Sequence, residues 1–183
     1  MIKYLAVIML FSQVCLGTTK TQLNSVMLMS QNNKWGGSGF YVITPQNNSY
    51  IITNEHVCKN NFYMNVEDQE GKKFKAEVLF SSEDLDLCAL KSTKQIGFKL
   101  AKAYTDCGEY VIFMGYPLLQ PFTVQVTQLC DRVALTTVKP GNSGSPVINL
   151  DGELVGVIDA LFRDTNFGLI IHLNQIYSFL KGK

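Results

Sequence analysis

The chain has 183 residues, of which 46% are hydrophobic and 17% are charged, and its formal net charge is +1. This size allows one substantial core, or two small cores that share an interface. The charges are spread along the chain without basic or acidic blocks. Composition therefore gives no reason to expect a nucleic acid or an anionic membrane as a partner, and it is typical of a globular protein.

The N-terminus has the order of a secretory signal peptide. Lys3 precedes an apolar run from Tyr4 to Phe11, and small or permissive residues follow from Cys15 to Gly17. We predict that residues 1–17 are removed on export and that the mature domain, residues 18–183, is secreted or periplasmic. The apolar run is shorter than the about 20 residues of a spanning helix. An uncleaved membrane segment is the alternative, but we expect no stable membrane insertion after signal removal.

Short runs rich in Val, Ile, Phe and Tyr alternate with turn residues along the rest of the chain. In order they are SGFYVIT, SYIITN, FYMNV, FKAEVLF, LCALK, YVIFMGY, FTVQVTQL, SPVINL, ELVGVIDALF and FGLIIHL. This pattern predicts an all-β protein, either a sandwich or barrels, because closure removes exposed strand edges.

A break at KSTKQIGFKLAKAYTDCGE divides these runs into two groups of similar size. Two small packed barrels would place their connection there, with the first barrel at about residues 22–100 and the second at about 101–183. The tail NQIYSFLKGK predicts a short helix with Ile176, Phe179 and Leu180 on one face.

The cysteine count suits an oxidising compartment. If Cys15 leaves with the signal, four remain, namely Cys58, Cys88, Cys107 and Cys130. Three pairings are open, and four separate buried thiols are the alternative. A hairpin turning at about residues 118–121 would bring Cys107 and Cys130 opposite each other. With no CxxC pair and two histidines in the chain, we expect no structural zinc site, and we expect no other metal or cofactor.

The stretch GNSGS, residues 141–145, offers two serines as nucleophiles. A serine hydroxyl needs an adjacent base, most often histidine, which is itself oriented by an acid. His56 lies at the end of a β run where a loop begins. His172 lies inside the apolar run GLIIHLN, which is more typical of a barrel-wall or surface histidine. His56 is therefore the better candidate base.

Three separated motifs, SGFYVITPQNNSYIITNEHVC, DLDLCALK and PGNSGSPVINLDGELVGV, follow one another in this order. They resemble the histidine, aspartate and serine motifs of trypsin-like serine peptidases with the chymotrypsin fold, most closely the bacterial-type branch of HtrA/Deg-like and glutamyl endopeptidase-like enzymes. The resemblance implies two packed six-stranded β-barrels with a short C-terminal helix. It also implies a serine endopeptidase that cleaves proteins or peptides through an acyl-enzyme intermediate. A catalytically silent module that binds peptides or proteins is the alternative.

The resemblance assigns a role to each motif. It implies that His56 is the general base, Asp86 the orienting acid and Ser143 the nucleophile, with the N–H groups of Gly141 and Ser143 as the oxyanion hole. Asp84 competes with Asp86, since residues two apart share a strand face. The family pattern of an aspartate followed by apolar residues fits Asp86 better.

Two positions beside the nucleophile also follow from the resemblance. Ser145 takes a place where relatives carry glycine or serine, so it is expected to be a scaffold residue. Asn142 stands where trypsins activated by cleavage carry an aspartate, which implies an oxyanion hole that needs no such cleavage. Cys58 and Cys88 each follow a triad position by two residues. If His56 meets Asp86, the two cysteines come near each other, and a disulfide between them is expected.

The primary substrate pocket is less defined by the sequence. In this family it is lined by the segment before the nucleophile and by the strand after it. Ile158 stands about where glutamyl endopeptidases have a histidine, so no preference for glutamate is expected. Asp159 could face the pocket and favour a basic residue, but the preferred expectation is a strand-edge carboxylate that points away.

Overall fold

A computed structural model describes residues 24–103, 106–161, 165 and 167–183. Within these residues the chain forms twelve strands, two α-helices and one short 3-10 turn. The predicted signal, residues 1–17, lies outside the described residues, as does Cys15. No helix among the residues described has both the length and the apolar character that crossing a membrane requires.

The first six strands close into a barrel. They pair antiparallel in the order β1-β2-β3-β6-β5-β4, and β4 pairs back onto β1. The bounds are β1 Ser25–Met29, β2 Gly36–Ile43, β3 Ser49–Thr53, β4 Tyr63–Asp68, β5 Lys73–Ser82 and β6 Leu87–Lys91. The four-residue helix α1, Glu55–Cys58, follows β3 and buries Val57 and Cys58.

The other six strands close into a second barrel. Their order is β10-β11-β12-β9-β8-β7, and β7 pairs with β10. The bounds are β7 Glu109–Gly115, β8 Thr123–Cys130, β9 Val133–Thr137, β10 Pro146–Ile148, β11 Leu154–Leu161 and β12 Phe167–His172. A 3-10 turn at Pro117–Leu119 joins β7 to β8, where the hairpin was predicted.

Helix α2, Leu173–Leu180, ends the fold. It buries Leu173, Ile176, Phe179 and Leu180, which include the three residues predicted to share a face. The predicted all-β class with two six-stranded barrels and a short C-terminal helix is confirmed.

The two barrels share one continuous apolar core. Phe40 and Leu87 of the first barrel lie in the same buried cluster as Phe113 and Val147 of the second. Strand β2 is almost fully buried instead of alternating, because Phe40 faces the second barrel while Tyr41 packs among the interior residues of the first. The barrels therefore pack directly against each other through closely packed side chains.

The structure contains the two predicted disulfides. One joins Cys58 to Cys88, and the other joins Cys107 to Cys130. The first connects α1 to β6, and the second closes the open end of the β7–β8 hairpin.

Candidate active site

His56 and Asp86 form a hydrogen-bonded pair at the junction of the barrels. The Nδ1 atom of His56 lies 2.7 Å from Oδ2 of Asp86, and the His56 backbone N–H donates to Oδ1 of the same carboxylate at 3.0 Å. Two bonds to one carboxylate fix both the ring and the backbone of the histidine. The Nδ1 contact leaves Nε2 as the nitrogen available to accept a proton.

The pKa of His56 is raised above its ordinary value. The hydrogen bond to Asp86 is the main cause. Partial burial opposes it, and the negative charges of Asp86, Asp159 and Glu55 add to it. Burial raises the pKa of Asp86, but hydrogen bonds from the His56 side chain and backbone and from Asp159 outweigh burial and hold it below its usual range. The pair therefore favours an ionised Asp86, and that carboxylate in turn stabilises the protonated form of the His56 ring.

Asp86 owes its position to a turn and not to a strand. It has a positive φ of 49°, and its carbonyl accepts a hydrogen bond from Nδ2 of the buried Asn54 at 3.1 Å. Asp84 lies in the same turn with an exposed side chain. The expectation that both acids share a strand face is wrong, because β6 begins only at Leu87. The structure brings Asp86 to His56.

Ser143 lies in the loop between β9 and β10. Its hydroxyl donates to the backbone carbonyl of Asp159 at 3.2 Å, and among the hydrogen bonds of the described residues there is none from Ser143 to His56. Both residues line one cavity of about 330 Å³, together with Val138, Lys139, Pro140, Ile158 and Asp159. The structure thus brings His56 and Ser143 to one cavity, with Asp86 hydrogen-bonded to His56, but without the hydroxyl-to-imidazole bond. Such bonds are often long or poorly aligned in ligand-free enzymes.

The loop before Ser143 presents free N–H groups. The Pro140 carbonyl accepts a hydrogen bond from the Leu118 N–H, so in this trans peptide the Gly141 N–H points away from Leu118. Within the described part of the chain, neither the Gly141 nor the Ser143 N–H donates a backbone or side-chain hydrogen bond. Two unused donors beside a serine are the elements of an oxyanion hole.

Ser145 and His172 are unsuited to chemistry here. Ser145 is fully buried, and its hydroxyl has no hydrogen-bond partner among the described residues, so a substrate could not reach it. The His172 side chain caps helix α2 in a reciprocal arrangement with Gln175. These positions agree with the scaffold and barrel-wall roles expected for the two residues.

Asp159 is the site residue that the sequence placed wrongly. One ligand atom from each of His56, Asp86 and Asp159 lies within 4.8 Å of the others, so the Asp159 side chain faces the pair and does not point away. Burial, the hydrogen bond to Asp86 and its charge raise the pKa of Asp159 to about 6. The sequence feature that could have identified it as a site residue is that it is a single aspartate in the apolar run VGVIDALF. A cation bound by these three groups would compete with the hydrogen bond on His56 Nδ1.

The chain is similar to known proteases in sequence. Serine protease HTRA4 of Homo sapiens is 30% identical over 148 residues, which cover 67% of this chain and 30% of that protein. Periplasmic serine endoprotease DegP of Salmonella typhimurium is 28% identical over 149 residues, covering 72% of this chain and 31% of that protein. The chain therefore spans about a third of the length of these relatives.

Solved structures show the same fold. The serine endoprotease from Yersinia pestis superposes with a TM-score of 0.79 at 22% identity, covering 90% of this chain and 64% of that one. The active form of the Rv3671c protease from M. tuberculosis gives 0.77 at 21% identity, covering 88% and 81%. A family model of the trypsin-like peptidase domain matches residues 37–157, from β2 to β11. On this match, the chain belongs to the trypsin-like peptidase family.

Proposed function

We propose that the protein is a secreted or periplasmic serine endopeptidase that hydrolyses peptide bonds in proteins or peptides. The observation that carries this proposal is that His56, hydrogen-bonded to Asp86, lines the same cavity as Ser143. Family membership and the relatives named serine protease support it. The two disulfides suit an oxidising compartment, and one relative is a periplasmic protease.

In the proposed mechanism, the Ser143 hydroxyl rotates from the Asp159 carbonyl toward His56 and attacks the substrate carbonyl. His56 accepts the hydroxyl proton and then gives it to the leaving amine, while Asp86 holds the ring and stabilises its positive charge. The N–H groups of Gly141 and Ser143 donate to the oxyanion. Water, deprotonated by His56, then attacks the acyl-enzyme, and the proton returns to Ser143 as the acid product leaves.

A catalytically silent peptide- or protein-binding module is the second candidate. The observation that favours it is the hydrogen bond from the Ser143 hydroxyl to the Asp159 carbonyl, which directs the hydroxyl away from the base. In a peptidase this bond exchanges readily for one to His56. In a silent module it is the resting state of a serine that never reacts.

Labelling with a fluorophosphonate distinguishes the two candidates, because the probe reports an activated serine whatever the substrate. Purified, disulfide-bonded wild-type protein is expected to be labelled at Ser143, as located by peptide mass spectrometry. Ser143→Ala should abolish the label, while Ser145→Ala, the matched serine two residues away, should keep it. Absence of label on folded wild-type protein would favour the binding module. Label that survives Ser143→Ala would refute the assignment of the nucleophile.

A further inference from the structure

The carboxyl of Asp159 reaches the base and its acid from the other barrel. Asp159 lies on β11, whereas His56 lies in α1 and Asp86 in the turn before β6. One atom of its carboxyl nevertheless lies within 4.8 Å of an atom of the Asp86 carboxyl and of a ring nitrogen of His56, so its charge acts on both groups. Asp159 thus adds a third group to the proposed His56–Asp86 pair, and this group comes from the second barrel.

Two carboxyl groups this close cannot both ionise without a large cost, so they share a proton over part of the pH range. Asp86 keeps its negative charge because the ring and the backbone N–H of His56 both donate to it. The shared proton therefore belongs to Asp159, which donates to Asp86. The pKa values agree in direction, since that of Asp86 is lowered and that of Asp159 is raised to about 6.

We propose that Asp159 is a positioning residue that controls the proton-accepting state of His56 through Asp86. When protonated, its carboxyl gives Asp86 a further hydrogen bond and fixes the orientation of that carboxylate. When ionised, its charge stabilises the imidazolium form and keeps a proton on His56. The inference rests on the proposed function, in which only neutral imidazole accepts the Ser143 proton.

Other charged groups near His56, Asp86 and Asp159 also influence the protonation of His56. Among the described residues, Glu55 on α1 adds negative charge near His56, and Arg132 in the turn between β8 and β9 favours the ionised form of Asp159. Lys59 lies near Asp86, and Lys139 lines the cavity. All four remain in a variant at position 159, so the change isolates the Asp159 carboxyl.

Two variants separate charge from hydrogen bonding. Asp159→Asn removes the charge but keeps an N–H donor for Asp86, so we expect the acid limb of the rate profile to move to lower pH with little loss at the plateau. Asp159→Ala removes both, so the limb should move in the same direction, and its plateau should lie about tenfold below that of Asp159→Asn, the worth of one hydrogen bond to a charged group. Asp151→Asn, an exposed carboxyl on the β10–β11 turn, is the control and should change neither.

The decisive measurement is an NMR titration of histidine-labelled protein carrying Ser143→Ala, with and without Asp159→Asn. The His56 signal is assigned as the one lost in His56→Ala. A lower His56 pKa with Asp159→Asn supports the proposal, and an unchanged pKa in folded protein overturns it. Because this titration needs no activity, it tests Asp159 even if fluorophosphonate labelling refutes the peptidase. Asp159→Ser, a shorter uncharged donor, gives the same test should the Asn variant not fold.

Discussion

The hydroxyl of Ser38 donates a 2.7 Å hydrogen bond to the backbone carbonyl of Gly141. The Ser38 hydroxyl oxygen also accepts a hydrogen bond from the Tyr116 N–H at 2.9 Å, and the Ser38 N–H donates to the Ser143 carbonyl at 2.8 Å. Ser38 is fully buried on β2. Its hydrogen bonds to Gly141 and Ser143 therefore hold the loop of the second barrel that carries the proposed nucleophile against the first barrel. The geometry of the proposed oxyanion donors therefore depends on a residue outside the proposed triad and oxyanion hole.

Ser38→Ala is expected to reduce fluorophosphonate labelling roughly tenfold or more, because the Gly141 carbonyl and the Tyr116 N–H lose their buried partner. The free energy of unfolding should fall by about 1–3 kcal/mol, the cost of leaving buried polar groups unpaired. Labelling rates and urea unfolding measure the two effects. Ser49→Ala is the control, since Ser49 also donates to a carbonyl, that of Ile96, in the first barrel. Equal labelling by both variants would contradict the role of Ser38.

Gly141→Ala is expected to slow labelling by about 10²–10³-fold, the usual effect of losing one oxyanion donor. A Cβ at this position would lie 2.4 Å from the Tyr116 carbonyl oxygen, and φ is +93°. The loop would have to move and take the Gly141 N–H with it.

Gly71→Ala provides the matched control for that variant. Gly71 has a similar φ of +75°, but a Cβ there meets nothing within 4 Å. It carries the same backbone strain without the clash, so its labelling rate should stay at the wild-type value. If Gly141→Ala labels as fast as Gly71→Ala, the Gly141 N–H is not an oxyanion donor.

Much of this architecture follows from local sequence. The ten apolar runs correspond to ten of the described strands, and strands β1 and β9 were missed. Both missed strands are five residues long, and β9 is the short segment VALTT immediately after the turn that ends β8. Barrel closure recruits such segments through pairing with their neighbours, which a local pattern does not contain.

The site was predictable where a motif fixed it and not where a tertiary contact did. His56, Asp86 and Ser143 were identified from motifs, and in the structure His56 bonds to Asp86 and lines one cavity with Ser143. The predicted orientation of Asp159 was wrong because its carboxyl finds polar partners on the inward side only where the other barrel supplies Asp86 and His56. A local sequence pattern does not contain that contact. The turn that contains Asp84 and Asp86 was missed although a local bond from the Asp86 N–H to the Glu83 carbonyl closes it, and the tertiary contact from Asn54 to the Asp86 carbonyl adds to it.

The pH dependence of labelling should reflect the raised pKa of His56. Neutral imidazole is the active form, so activity is lost as pH falls through the folded-state pKa, and the midpoint should lie above the ordinary value of 6.5. Asp86→Asn removes the main cause of the shift. Its midpoint should move to lower pH, and its plateau should fall by roughly 10⁴, as expected when the ring loses its orienting carboxylate.

Asp84→Asn is the matched control for Asp86→Asn, because Asp84 is an exposed carboxyl in the same turn. It should keep the wild-type profile when labelling rates are measured between about pH 5 and 9. A profile that is flat across this range in the wild type would argue against a histidine base.

The two disulfides should contribute similarly to stability but differently to activity. They close loops with sequence separations of 30 and 23, and each should add roughly 2–4 kcal/mol to the free energy of unfolding. Only Cys58–Cys88 joins the helix of His56 to the strand that follows Asp86. Replacing Cys58 and Cys88 by serine should therefore lower the labelling rate in protein that is still folded, whereas the same change at Cys107 and Cys130 should leave it nearly unchanged.

The different burial of the two disulfides gives a second way to distinguish their roles. Cys58 and Cys88 are 3% and 0% exposed, whereas Cys107 is exposed at the open end of its hairpin. A mild reductant without denaturant should therefore open Cys107–Cys130 first, with labelling retained. Peptide mapping of alkylated, non-reduced protein follows both bonds. Cys58 joined to Cys107 or Cys130, or four free thiols in protein from an oxidising compartment, would contradict the pairing and with it the support that the Cys58–Cys88 bond gives to the His56–Asp86 contact.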